Sequence, residues 1–153
     1  MVYTAGSIAL AVLEWRAHLP QWPGPAVCLI DVSMDESLIW TPTRLPNGWK
    51  TTPAPPSVTA FGDAWISSQR SAVMRVPSAI VNQEWNYLLN PVHPDFLKLH
   101  IGRPRVFKLD PRLARLSLLE GVLLRNPLML RNRVQKVCTK MLVVTLSASL
   151  PWR

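Results

Sequence analysis

A chain of 153 residues holds one ordinary domain and is too short for two. Its hydrophobic fraction of 48% excludes wholesale disorder, and fifteen prolines argue against a helical bundle and for a loop-rich mixed fold. The formal charge of +8 is uneven, being −1 through Ile101 and +9 beyond, so the basicity says little about the first two-thirds of the chain.

In chain order, Met1 to Ala5 reads as a strand end. Ser7 then N-caps a helix from Ile8 to about His18, with Ile8, Ala11, Val12 and Trp15 on one face. Pro20, Pro23 and Pro25 stop that helix. Val27 to Val32 is a short β-branched run bounded by turn residues, hence a buried strand, with Cys28 as a small core residue. Pro42 to Pro56 carries a cluster of prolines and Asn47-Gly48, and predicts an irregular surface loop. Thr59 to Ser68 suits a short helix capped at Thr59 or Asp63, with Trp65 in the core. Strands are expected at Ala72 to Val76, Trp85 to Leu89 and Arg105 to Leu109, with a helical turn from Pro94 to His100. Asn86, Asn90 and Asp95 read as turn and cap residues. Beyond Leu113 the texture changes to leucine, arginine and asparagine. Helical spacing from Leu116 to Leu130 is broken by Pro127, and Met141 to Leu146 favours a strand. The chain therefore divides into a domain over 1–113 and a poorly ordered basic extension over 114–153.

Several chemistries find no support. A phosphate loop, a paired Cys-x-x-Cys and a His-Glu-x-x-His are all missing, and His18, His93 and His100 are scattered, so no metal site is expected. Cys28 and Cys138 make no disulfide framework. The apolar runs fall far short of the roughly 20 residues that span a membrane, and no secretory signal is evident, which places the expectation in the cytoplasm.

A series of phrases does carry information. Tyr3-Thr4-Ala5 leads into Ser7 to Glu14. Pro56-Ser57-Val58-Thr59-Ala60-Phe61-Gly62-Asp63-Ala64-Trp65 follows, then Arg75-Val76-Pro77-Ser78-Ala79 and Glu84 to Pro91. The series ends with His93-Pro94-Asp95-Phe96 and Phe107 to Leu113. In this order they resemble the RES domain, the toxin half of a bacterial toxin–antitoxin family, over about Val2 to Leu113. The resemblance implies an α+β fold with a small mixed β-sheet and short helices, similar to ADP-ribosyltransferases. It implies attack on NAD+ at the nicotinamide–ribose bond, with NAD+ as substrate and no other cofactor. It also implies a helix-turn-helix antitoxin as partner.

Carried over residue by residue, the family's glutamate falls on Glu14 and its tyrosine on Tyr3. Its serine falls on Ser57, with Ser78 as rival; Val58-Thr59 follow Ser57 where the family has Thr-Gln. The family's arginine lies upstream of the tyrosine, and no residue here takes its place, so the chain resembles a toxin truncated at its N-terminus, with weak or absent activity expected.

The residue types suit the chemistry. Cleavage passes through an oxocarbenium-like ribose that a carboxylate stabilises. Glu14, one turn after Leu10 and Ala11, would sit in a partly apolar pocket; its bland alternative is a solvated glutamate paired with His18 at i+4. Tyr3 offers an aromatic face and a polar tip for nicotinamide or ribose, and Ser57 a hydroxyl to hold the reactive conformer. Two other readings stand beside this one. One is an inactive remnant that keeps only antitoxin binding. The other is a basic nucleic-acid-binding protein using Arg125, Arg131, Arg133, Lys136 and Lys140, which no stacking platform or helix-turn-helix spacing accompanies.

Overall fold

The computed structural model describes residues 1–18, 26–113 and 140–144. Its elements are β1 (Val2–Ala5), α1 (Ile8–Ala17), β2 (Ala26–Ser33), β3 (Ile39–Trp40), α2 (Pro56–Ser68) and β4 (Val73–Pro77). Then come β5 (Trp85–Leu89), β6 (His100–Ile101), β7 (Arg105–Lys108) and β8 (Lys140–Val144), with 3₁₀ turns at Glu36–Leu38 and Pro94–Lys98. The strands form one mixed sheet in the order β3-β4-β5-β1-β8-β2-β6, and β7 shares the outer edge of β2 with β6. Parallel pairs (β3 with β4, and β8 with both β1 and β2) are mixed with antiparallel ones, which makes the α+β class a fact of the structure.

Strand parity sets the two faces of this sheet. Tyr3 pairs with Leu88 and Ala5 with Asn86, while Met74 and Val76 of β4 oppose the same two residues of β5. These positions share one face, and both helices lie on it. α1 packs Leu10 and Ala11 with Ala5, Val27 and Leu29, and α2 packs Trp65 with Met74 and Leu88. The opposite face holds Val32, Val73, Tyr87 and Leu89 under Leu38, Leu99 and Phe96, which come from the 3₁₀ turns and their flanks. Tyr3 and Asn86 therefore fall in the interval between two helices on a common face.

Local rules explain α1. Ser7 is extended (φ −144°, ψ 158°), and its Oγ accepts from Leu10 N at 3.1 Å. The same hydroxyl donates to Glu84 Oε2 at 2.7 Å, tying the helix start to the segment before β5. Gly6 N donates to Trp85 O at 2.9 Å, and a Cβ at Gly6 would stand 2.9 Å from that oxygen, so only glycine fits this approach. The buried face is Leu10, Ala11 and Glu14, rotated by about a residue from the predicted face, whose Ile8, Val12 and Trp15 are only partly buried.

Three expectations are corrected. α2 begins at Pro56 rather than Thr59, and neither Thr59 nor Asp63 caps it. Pro55 occupies the N-cap and Pro56 the first turn, where a fixed φ and a missing N–H cost nothing. Cys28 is partly buried and disulfide-bonded rather than a simple core thiol. The C-terminal extension contributes β8, which sits inside the sheet between β1 and β2 rather than apart from it. The helical spacing read at Leu116 to Leu130 lies outside the described residues. Among the described residues no helix is long and apolar enough to cross a membrane.

Candidate active site

Glu14 is carried by the second turn of α1 and points toward the sheet, with a residual exposure of 8%. A carboxylate so removed from water needs hydrogen-bond donors. Two reach the same oxygen: Ser78 Oγ donates to Oε1 at 2.7 Å and Asn86 Nδ2 at 2.6 Å. The second oxygen makes no hydrogen bond among the described residues, and Glu14 lines a cleft of about 600 Å³. That volume lies within the roughly 300–1,000 Å³ of small-molecule sites. The carboxylate is thus clamped on one side and open on the other. The pairing with His18 takes another form, because His18 Nδ1 lies 2.7 Å from the Glu14 carbonyl oxygen, not from its carboxylate.

Ser78 is fully buried, just past the end of β4. Its Oγ accepts from Ile80 N and Val81 N, both at 3.0 Å, while its own proton goes to Glu14. Every capacity of the hydroxyl is used, so Ser78 acts as an orienting group with a fixed rotor. Ser57 is elsewhere. It lies exposed in the first turn of α2, and the cleft beside Glu14 is lined without it. The structure brings Glu14, Tyr3 and Ser78 together and leaves Ser57 outside.

Asn86 is the group that sequence reasoning passed over. It is fully buried on β5, and its Nδ2 donates to Tyr3 Oη at 3.0 Å as well as to Glu14. An acceptor-only carboxylate at 2.6 Å fixes the amide with its nitrogen toward Glu14. Its Oδ1 is buried without a hydrogen bond among the described residues. Local signals gave Asn86 the look of a turn residue; its role comes from pairing with residues 72 and 83 positions away. Asn90, by contrast, does form a turn, accepting from Val92 N at 3.3 Å, and Asp95 lies in the first turn of a 3₁₀ helix that His93 caps, where it pairs with Lys98.

Tyr3 is 52% exposed as a residue, yet its hydroxyl end lies at the buried Asn86 amide. Burial of the hydroxyl and the nearby Glu14 charge push the phenol up to about 12, against the smaller opposing effect of the Asn86 hydrogen bond. At neutral pH Tyr3 is a hydrogen-bond donor and not a base. The ring also divides the site. Tyr3, Trp49 and Ala79 line both the Glu14 cleft and a neighbouring cavity of about 270 Å³ under α2.

Two measurements follow from this geometry. The chain has two tyrosines, and burial raises the phenol of Tyr87 as well. An ultraviolet pH titration is expected to show no phenolate step at the ordinary value near 10, and Tyr3→Phe removes a step near 12. Because the folded value is the higher one, Tyr3 contributes stability that is complete below about 10 and lost as pH rises through about 12. Ser78→Ala leaves two partly buried amides and one carboxylate oxygen short of a partner, at a cost of about 1–3 kcal/mol in urea unfolding. Ser57→Ala is expected to change stability by less than about 0.5 kcal/mol.

Known proteins resemble this chain. Residues 1–110 match the RES domain family. The chain is 40% identical over 121 residues to a protein of Sphingobium sp. (strain YBL2) named Prs ADP-ribosylating toxin, with 75% of each chain covered. It is 34% identical over 116 residues to a protein of Yersinia enterocolitica named Toxin Res, covering 73% of this chain and 76% of that one. A second Toxin Res, from Photorhabdus laumondii, is 34% identical over 119 residues.

Proposed function

The chain belongs to the RES domain family, and from that premise we propose that its cleft cleaves the nicotinamide–ribose bond of NAD+. One observation carries the reading. A nearly dry carboxylate is held by Ser78 and Asn86 on one oxygen and opens to the cleft with the other, beside a phenol that keeps its proton.

The chemistry asks for such an arrangement. The bond between ribose C1′ and the nicotinamide nitrogen breaks, the electron pair leaves with nicotinamide, and positive charge collects on the ribose. Glu14, prefixed before the charge develops, stabilises that charge and accepts a ribose hydroxyl. Tyr3 presents its ring to the nicotinamide and its hydroxyl proton to a ribose or amide oxygen. An oxygen nucleophile then bonds to C1′ and releases its proton. The Sphingobium relative is named an ADP-ribosylating toxin, which favours transfer to an acceptor molecule, while water and phosphate satisfy the same balance.

By the same premise, the partner is a helix-turn-helix antitoxin that blocks the cleft, and the protein works in the cytoplasm. The test is nicotinamide release from NAD+ by the purified chain, followed by proton NMR. Release supports the reading. Its absence from a chain shown by circular dichroism to be folded would leave an inactive member of the family that keeps only antitoxin binding.

A further inference from the structure

We infer that Lys50, seated over Trp49 at the rim of the Glu14 cleft, is the anion-binding residue of this site and takes the diphosphate of a dinucleotide. The inference rests on the NAD+ reading for its ligand and on the loop between β3 and α2 for its geometry.

That loop is held in place. Gly48 turns it with φ +75°, Trp49 N donates to Pro46 O at 3.3 Å, and Thr51 N and Oγ1 both reach Gly48 O, at 2.9 and 2.7 Å. Trp49 is thereby set between the two cavities, and Lys50 Nζ stands 5.0 Å from the centre of its ring. A cation at that distance is attracted to the indole face, which limits where the long side chain wanders.

Among the described residues the Lys50 ammonium meets the Trp49 ring and no carboxylate. Arg75, Lys98, Arg105 and Arg112 each pair with a carboxylate, whereas Lys50 has no carboxylate partner among the described residues. Of the described residues lining the cleft, Lys50 and His18 are the basic ones, and the His18 ring is already engaged with the Glu14 carbonyl. The cavity under α2 has Asp63 on its wall and no Lys, Arg or His, so a diphosphate is disfavoured there.

The cleft thus has a buried carboxylate inside and an exposed ammonium at its rim. A molecule with a cationic ring at one end and a diphosphate beyond it meets opposite charge at both places in only one orientation, ring first. Lys50 is a binding and orienting residue, and it makes no contact with the bond that breaks.

The test is binding of ADP, adenosine and nicotinamide to the full chain, by calorimetry or ligand-observed NMR, at two salt concentrations. Lys50→Met is expected to weaken ADP about tenfold or more, to leave nicotinamide unchanged, and to flatten the salt dependence; Lys50→Arg restores ADP binding. Equal ADP affinity in wild type and Lys50→Met would overturn the inference, as would a wild type that binds adenosine as well as ADP or binds no ADP at all. If the wild type releases no nicotinamide from NAD+ yet loses ADP affinity in Lys50→Met, the cleavage reading fails and the anion site stands.

Discussion

Glu14→Gln is expected to lower nicotinamide release by about a hundredfold or more while leaving the fold intact. The two outcomes separate because of where the hydrogen bonds go. Ser78 Oγ and Asn86 Nδ2 both donate to one oxygen, Oε1. The amide oxygen of glutamine accepts both, so the clamp survives with its geometry. What changes is the other atom, which turns from a carboxylate oxygen facing the cleft into an NH₂ group. It repels the developing ribose cation and offers a donor where an acceptor is needed. Tyr3 supplies an independent readout. Part of the rise of its phenol to about 12 comes from the Glu14 charge, so the step should move down in Glu14→Gln. A variant with a lowered Tyr3 step, an unchanged urea midpoint and full nicotinamide release would remove Glu14 from the chemistry.

Much of this fold is legible in the sequence, and the parts that are not have physical reasons. Ser7 as N-cap, the β-branched run of β2 and the strand Trp85–Leu89 follow from local signals that tertiary structure did not override. β3 and β6 escape notice because two residues show no period. The start of α2 is missed because a side-chain cap was sought where two prolines do the work, and that error bears on the site. With the helix beginning at Pro56, Ser57 lies on its exposed first turn. Ser78, the rival, is the serine that β4 and β5 deliver to Glu14. The resemblance supplied Glu14 and Tyr3, but a phrase match cannot tell which serine lies near them. The local signature of Asn86 is that of a turn residue and points away from its role. That role arises from the register that sets it opposite Ala5, two pairs along the ladder from Tyr3 and so on the same face. The strand near Met141 is legible in the sequence, but its place between β1 and β2 is not, because parallel pairing to distant segments leaves no local mark.

Asn86→Asp is the substitution expected to damage this protein most, and its damage depends on pH. Asn86 is fully buried, and it donates to Glu14 at 2.6 Å and to Tyr3 at 3.0 Å. Aspartate keeps the shape and exchanges the donor for an acceptor. Two carboxylates at this spacing cannot both ionise, so the pair retains one proton and its apparent pKa rises above the ordinary carboxylate value. In the unfolded chain the new aspartate titrates near 4. A folded value above the unfolded one means that stability is fully present below pH about 4 and is lost as pH rises through the folded value. Urea unfolding of Asn86→Asp should therefore match the wild type most closely near pH 4. At pH 8 it should fall short by about 3–5 kcal/mol, the scale of an uncompensated buried charge. Asn86→Leu is the control. It removes the same two hydrogen bonds together with the unpartnered Oδ1, and adds no charge. Its loss of about 1–3 kcal/mol should be nearly the same at both pH values. Equal, pH-independent losses in the two variants would mean that the amide does not face the carboxylate, and the clamp on Glu14 would have to be sought in Ser78 alone.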